Sequence, residues 1–142
     1  MPVDPELAGR TFPPTAPYRV SREKIAEFTD AIRADPIDDG RTAPPTFPIV
    51  VAFRAMTALM EDPSVGIALH RVVHGEQRFT YTRPVVVGDV LRAALTVDSL
   101  RQIGGADIIG TRSEITDAQG RPVCTAFATL VHRAEEDADA DR

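Results

Sequence analysis

Three histidines, one cysteine and four serines are the side chains that could do acid–base or nucleophilic work in this chain. His70 and His74 stand four apart, the separation that sets two ligands on one face of a zinc helix. They lie at the start of a strand, however, and no cysteine pair exists to complete a tetrahedral site. The pattern therefore predicts no metal and no cofactor. Ser21, Ser64, Ser99 and Ser113 show no nucleophile elbow and read as caps, turns and strand surface. Gly104-Gly105 reads as a hairpin turn rather than a phosphate loop. Cys124 has apolar neighbours and reads as a small buried residue; a lone cysteine excludes an intrachain disulfide.

Two further places carry candidate chemistry. His74-Gly75-Glu76-Gln77 combines a base and an acid beside a glycine. The favoured reading is a strand start with a bulge at Gly75, because plain alternation sends His74 and Gln77 to opposite faces. Arg54 interrupts an apolar helix. Either it extends to the sheet rim or pairs with an acid, or it contacts a carrier phosphate or a partner subunit.

These residues need elements to position them. Residues 1–17 hold five prolines and are expected to be extended, and APYRVS passes into a short first strand. Ser21 caps SREKIAEFTDAIRAD, whose Ile25, Phe28 and Ile32 recur at helical spacing and which Asp35-Pro36 ends. A loop follows to Pro45. TFPIVVAFRAMTALM is then a second helix, capped by Thr46 and apolar around most of its surface, so it is expected to be enclosed on most sides. Four strand runs complete the chain: RVVHGEQRFTYTRPV, DVLRAALTVDSLRQI, GADIIGTRSEITD and RPVCTAFATLVHR. They read as a four-strand antiparallel meander. An apolar helix and a long curved sheet predict an α+β fold, one hot-dog domain with the antiparallel sheet wrapped around the central helix. An open sheet edge predicts a dimer.

The chain has 142 residues, 43% apolar and 26% charged, as in ordinary globular domains. No stretch reaches the roughly 18 apolar residues of a membrane span. MPVDPELAGR lacks a basic start followed by an apolar run, so a cytoplasmic location is expected. The net charge is −5, and the last nine residues contribute most of it with five acids and one base. The domain is therefore expected to span 1–133, with 134–142 an acidic disordered tail. A nearly neutral body offers no electrostatic footprint for nucleic acid.

Three pieces carry a resemblance: the SREKIAEFTDAI helix, TAPPTFPIVVAF, and FTYTRPVVVGDVL. Together they resemble the MaoC-like hot-dog hydratases and dehydratases, especially the FAS1-like N-terminal dehydratase branch, from about Tyr18 to Arg133. Active members carry a turn Asp-x-Asn-Pro-Ile-His, whose Asp and His work as base and acid on a 3-hydroxyacyl or enoyl thioester. Here Asp35-Pro36-Ile37 matches Asn-Pro-Ile, which places Arg33 at the Asp position and Asp38 at the His position. Arg33 cannot act as a base, so both catalytic groups are lost.

The pattern is similar to the non-catalytic subunit of the two-chain (3R)-hydroxyacyl-carrier dehydratases of actinobacterial fatty acid elongation. That resemblance implies a groove for an acyl-ACP or acyl-CoA substrate, with Thr46, Phe47, Ile49, Val50 and Phe53 as candidate substrate-binding residues. It also implies a heterodimer with a catalytic hot-dog subunit that brings the Asp and His. Two other readings stand beside it. One is a self-contained hydratase or hot-dog thioesterase; the other is a homodimeric acyl-thioester-binding protein.

Overall fold

A computed structural model describes residues 3–133. The acidic tail, 134–142, lies outside them. The elements are β1 (Tyr18–Arg19), α1 (Arg22–Ala31), α2 (Ile49–Glu61), β2 (Val72–Tyr81), β3 (Val90–Ile103), β4 (Ala106–Thr116) and β5 (Pro122–Arg133). They build a single hot-dog domain of α+β class, a curled five-stranded antiparallel sheet with α2 against its inner face.

Alternation decides which face of each strand is inner. Leu91, Ala93, Leu95 and Val97 of β3 are all fully buried, while Arg92 and Asp98 point outward. Ile109 and Ile115 of β4 and Ala126, Ala128 and Leu130 of β5 continue that apolar layer. Val51, Ala52, Ala55, Met56, Leu59 and Met60 of α2 close on it, mainly over β3.

Strand order corrects one expectation. The sheet runs β1-β3-β4-β5-β2, so only β3, β4 and β5 form a meander. The first strand run, β2, pairs with β5 on the far side instead of making a hairpin with β3. The link between them is no hairpin turn. Pro84 has no N–H to extend β2, and the chain after it is stitched elsewhere. Ala43 N–H donates to Val85 O (2.8 Å), Val87 N–H to Arg41 O (2.9 Å) and Gly88 N–H to Val20 O (2.9 Å). Gly88, with φ 91°, turns the chain into β3 on the opposite flank.

The helices also start and stop differently from the sequence reading. Ser21 caps α1 as expected, accepting from Lys24 N–H at 3.0 Å. The helix ends at Ala31, before Asp35-Pro36 is reached. Arg33 adopts a left-handed φ of 56°. Its N–H donates to Asp30 O and that of Ala34 to Thr29 O, both at 3.0 Å, which is the Schellman arrangement. Thr46 makes no capping bond; Phe47, Ile49 and Val50 N–H groups bond back three residues each, and the helix proper begins after Pro48. Nor is α2 enclosed on most sides. One sheet curls around one flank only, and Phe53 on the other flank is 51% exposed.

The N-terminal arm is extended and structural. Gly9 N–H donates to Val97 O (2.7 Å), Phe12 N–H to Leu95 O (2.8 Å) and Thr15 N–H to Ala93 O (2.9 Å), so the arm covers the outer edge of β3. Val3, Leu7 and Phe12 are buried in the core. Arg10 ties the arm to the end of α2 through Asp62 (3.1 Å) and Ser64 (2.9 Å). Among the described residues, β2 pairs with β5 on one side and has no strand on the other.

Candidate functional site

The turn after α1 runs from Arg33 to Thr42 and is held by the chain that links β2 to β3. Thr42 forms bridges to Ile37 on one side and Val86 on the other. Between those anchors the backbone turns left-handed for three residues: Asp38, Asp39 and Gly40 have φ of 49°, 54° and 78°. Only the third is a glycine, so two L-residues sit where Cβ crowds the following carbonyl. Strain of this kind concentrates at functional sites.

The side chains of this turn are engaged with one another. Asp38 Oδ1 accepts from Arg41 Nη2 at 3.3 Å, and both are largely exposed. Asp39 accepts from Arg22 through its carbonyl (2.6 Å) and its carboxylate (3.3 Å). Arg33 gives the turn its backbone geometry, and its side chain is exposed. No imidazole stands in this turn.

Beneath the turn lies a cavity of about 400 Å³, lined mainly by Ile37, Thr42, Ala43, Pro45, Tyr81 and Arg83. Its roof is fixed by the Tyr81 hydroxyl, which donates to Pro45 O at 2.6 Å across 36 residues of sequence. Burial, and secondarily Cys124 beside it, pushes the Tyr81 phenol above its ordinary range, so it stays a donor. Burial likewise pushes the Cys124 thiol up to about 11, which leaves it unreactive at neutral pH.

Arg83 is not a free cation for an anionic ligand. It forks onto both oxygens of Asp89 (2.9 and 3.1 Å), reaches Asp117 at 3.4 Å and donates to Pro84 O. These bonds, Asp89 first, hold its pKa above the usual range. The Gly88-Asp89 pair of the FTYTRPVVVGDVL stretch is thus a structural clamp on the cavity wall.

Between α1 and the turn a second cavity, about 520 Å³, is lined by charged groups including Arg22, Glu27, Asp30 and Asp39. Among the described residues no group of three or more His, Cys, Asp or Glu is placed to hold a metal ion.

The five residues singled out at the start of α2 separate in space. Phe47 is fully buried and packs edge-on against Phe28, with ring centroids 5.4 Å apart. Ile49 and Val50 are half-buried against the core, while Thr46 and Phe53 are exposed. None of the five lines the apolar cavity, which sits just ahead of them in the chain. Arg54 reaches the sheet rim, its guanidinium 4.7 Å from the centre of the Tyr18 ring.

Two features escaped the sequence reading. The bulge at Gly75 is present, and it reverses the inference drawn from alternation. A register shift between His74 and Glu76 returns His74 and Gln77 to one face, where His74 Nε2 lies 2.9 Å from Gln77 Oε1. The second is a buried chain of polar groups. His132 Nδ1 lies 3.0 Å from Asp107 Oδ2, Gln102 donates to Asp107 Oδ1 (3.0 Å), and Ala68 N–H donates to His132 Nε2 (3.0 Å). Since Nε2 accepts, Nδ1 carries the proton. The parity of His132 with Ala128 and Leu130 was the available signal for its burial. This His–Asp pair is closed off from solvent and anchors the backbone before β2.

The family model of the FAS1-like dehydratase domain region matches residues 6–126. The chain belongs to that family. A UPF0336 protein of Leifsonia xyli is 49% identical over 96% of this chain and 99% of its own length. A UPF0336 protein of Streptomyces coelicolor is 43% identical over 97% of this chain and all of its own. Among solved structures, the C-terminally truncated HadBC (3R-hydroxyacyl-ACP dehydratase) complex of Mycobacterium tuberculosis aligns with a TM-score of 0.76. That match has 28% identity and covers 89% of this chain and 97% of the other. A MaoC-like dehydratase aligns with a TM-score of 0.78 and 27% identity, over 94% of this chain and 43% of that longer one. The hot-dog dehydratase family thus supports a hydratase-like function.

Proposed function

We propose that this FAS1-like dehydratase domain is the acyl-thioester-binding, non-catalytic subunit of a (3R)-hydroxyacyl-ACP or -CoA dehydratase in fatty acid elongation. A second hot-dog chain supplies the Asp and His. The observation that carries this reading is the occupancy of the turn. Arg33 stands as a backbone C′ residue of α1, and Asp38 is tied to Arg41. Neither can exchange a proton at the α-carbon of an acyl thioester as a paired Asp and His would. The turn keeps its fold while carrying none of the acid–base groups.

Supporting features lie around it. The cavity under the turn is mostly apolar in its lining, and separately, at the start of α2, Ile49, Val50 and Phe53 offer apolar surface. We assign Thr46, Ile49, Val50 and Phe53 to the acyl groove, with Phe47 behind them as packing. The uncovered edge of β2 is the natural place for the second chain. HadBC, a structural relative, is described as a (3R)-hydroxyacyl-ACP dehydratase complex, which is consistent with a two-chain assembly here.

The test is hydration of a crotonyl thioester by this chain alone, by a histidine-bearing hot-dog chain alone, and by the two together. Loss of a general acid and a general base costs roughly 10²- to 10⁴-fold each, so the chain alone is expected to be nearly inert and the mixture most active. An ordinary turnover of about 1 s⁻¹ or more from the chain alone would overturn the reading.

A further inference from the structure

Arg10, Arg22, Arg41, Arg78, Arg83 and Arg112 each pair with a carboxylate. Arg19, Arg92 and Arg121 are exposed, and their side chains pair with no acid among the described residues. These three gather at one end of the sheet. Leu91 and Ala93 are buried on the inner face, so Arg92 between them points outward. Tyr18 lies opposite Leu91 and Arg19 opposite Val90, which turns Arg19 outward as well. Arg92 is opposite Thr116, and Thr116 is opposite Pro122, the residue after Arg121. The cations therefore form a row from β1 across β3 and β4 to the start of β5. Neighbouring strands lie about 4.8 Å apart, so the row is about 14 Å long.

The acids of this corner are already occupied. Asp89 and Asp117 hold Arg83 and are only 13% and 11% exposed, so the one net negative charge of that cluster is mostly covered. Glu114, on the outer face opposite Ala94, leans to Arg112 at 3.9 Å. Other arginines without an acid stand apart from the row. Arg33 ends α1, and Arg54 lies against Tyr18 on the inner side of β1. Arg101 is at the far end of β3, about 30 Å from Arg92. The apolar cavity lies at the same end of the sheet as the row. Thr82 and Arg83, which line it, donate their N–H groups to Val123 O, next to Pro122.

We propose that Arg19, Arg92 and Arg121 form a docking row for an acidic carrier protein, the domain that brings the acyl group on its arm. This rests on the acyl-thioester reading above and deepens it by choosing a protein carrier over coenzyme A. Charge complementarity is the argument. Three unpaired cations stand in line on a domain whose charges elsewhere nearly balance, so their field reaches solvent uncancelled. A row about 14 Å long exceeds a single phosphate group and suits the extended acidic face of a protein. Its place at the cavity end of the sheet puts the docked carrier on the side where its acyl group is received. Exposed charges of this kind act on the rate of association and on its salt dependence.

The experiment measures binding of a long-chain acyl carrier protein, and of the same acyl group on coenzyme A, to the full chain. It is run alone and with a histidine-bearing hot-dog chain, at about 50 and about 300 mM salt. Arg19→Glu with Arg92→Glu should weaken carrier-protein binding about tenfold at low salt and remove most of its salt dependence. Acyl-CoA binding should change less than about twofold. Arg92→Gln should give a smaller loss in the same direction. Arg101→Glu, the same charge change at the far end of β3, should leave both ligands unaffected. Melting temperatures should match wild type throughout, because these side chains hold no other group of the fold. Carrier binding untouched by the double variant, or an equal loss for acyl-CoA, overturns the proposal. So does an Arg101→Glu effect as large as that at Arg92, or tighter binding of a short RNA duplex or anionic vesicles than of the carrier protein. In each of those cases acyl-CoA binding by the wild type leaves the acyl-thioester reading intact. If the wild type binds neither acylated probe, alone or with the second chain, that reading fails and the proposal falls with it.

Discussion

Asp89 grips Arg83 with both carboxylate oxygens, at 2.9 and 3.1 Å, and accepts from Val86 N–H at 2.9 Å with the same Oδ2 that takes the shorter bond. Asp89 is 13% exposed and Arg83 34%, so the pair is partly shielded from water. Asp89→Ala is expected to cost about 2–3 kcal/mol, because charged hydrogen bonds are lost and a shielded guanidinium keeps only Asp117 and the Pro84 carbonyl. Asp89→Asn keeps an acceptor and should cost less. Urea unfolding of the two variants checks the order, with an unchanged slope expected for both.

Acid should weaken the same corner. Backbone N–H groups, that of Arg121 first, hold the Asp117 carboxyl below its ordinary range despite partial burial, with Arg83 adding to the effect. Hydrogen bonds from Ser64, with Arg10, do the same for Asp62. Both groups have folded pKa values below those of the unfolded chain, so the unfolded state binds more protons at low pH. Their stabilisation is full above about pH 4 and is lost as pH falls through the folded values. Melting temperature should therefore be level at neutral pH and fall below about pH 4. Asp117→Asn should flatten that fall, and an unchanged acid limb would contradict the assignment.

Tyr81→Phe removes the bond to Pro45 O and nothing else of comparable size. The expected loss is about 1 kcal/mol of stability. Because this bond roofs the cavity, binding of a fluorescent long-chain acyl thioester should weaken more than the melting temperature implies. Equal binding by the variant would show that the cavity is not on the acyl path.

Gly110 lies opposite Ser99, where β3 has a register shift. A Cβ at Gly110 would come within 2.5 Å of Ser99 Oγ, closer than van der Waals contact allows. Gly110→Ala is expected to cost about 1–3 kcal/mol. Adding Ser99→Gly should recover most of that if the clash is the cause. A double variant no more stable than the single one would place the cost in the backbone instead.

The hot-dog fold was legible in the sequence because its elements announce themselves locally. Alternation in DVLRAALTVDSLRQI, the Ser21 cap and the apolar run after Thr46 each follow from the period of one element. The proposal that the catalytic pair is missing comes from the same kind of local reading, since Arg33 and Asp38 are placed by counting along one short turn. Strand order was not, since pairing β2 with β5 instead of β3 depends on hydrogen bonds between Ala43, Val85, Arg41 and Val87 that no local pattern records. Nor was the His74–Gln77 pair. A bulge was expected at Gly75, but its consequence, two polar groups returned to one face, becomes visible only when β5 sets the register. The cavity itself joins Ile37 and Pro45 with Tyr81 and Arg83, from two stretches far apart in the chain. Local propensity and periodicity are properties of neighbours in the chain, whereas a site is made by contacts between segments, and here those contacts were fixed by which edge of the sheet the chain crossed to reach.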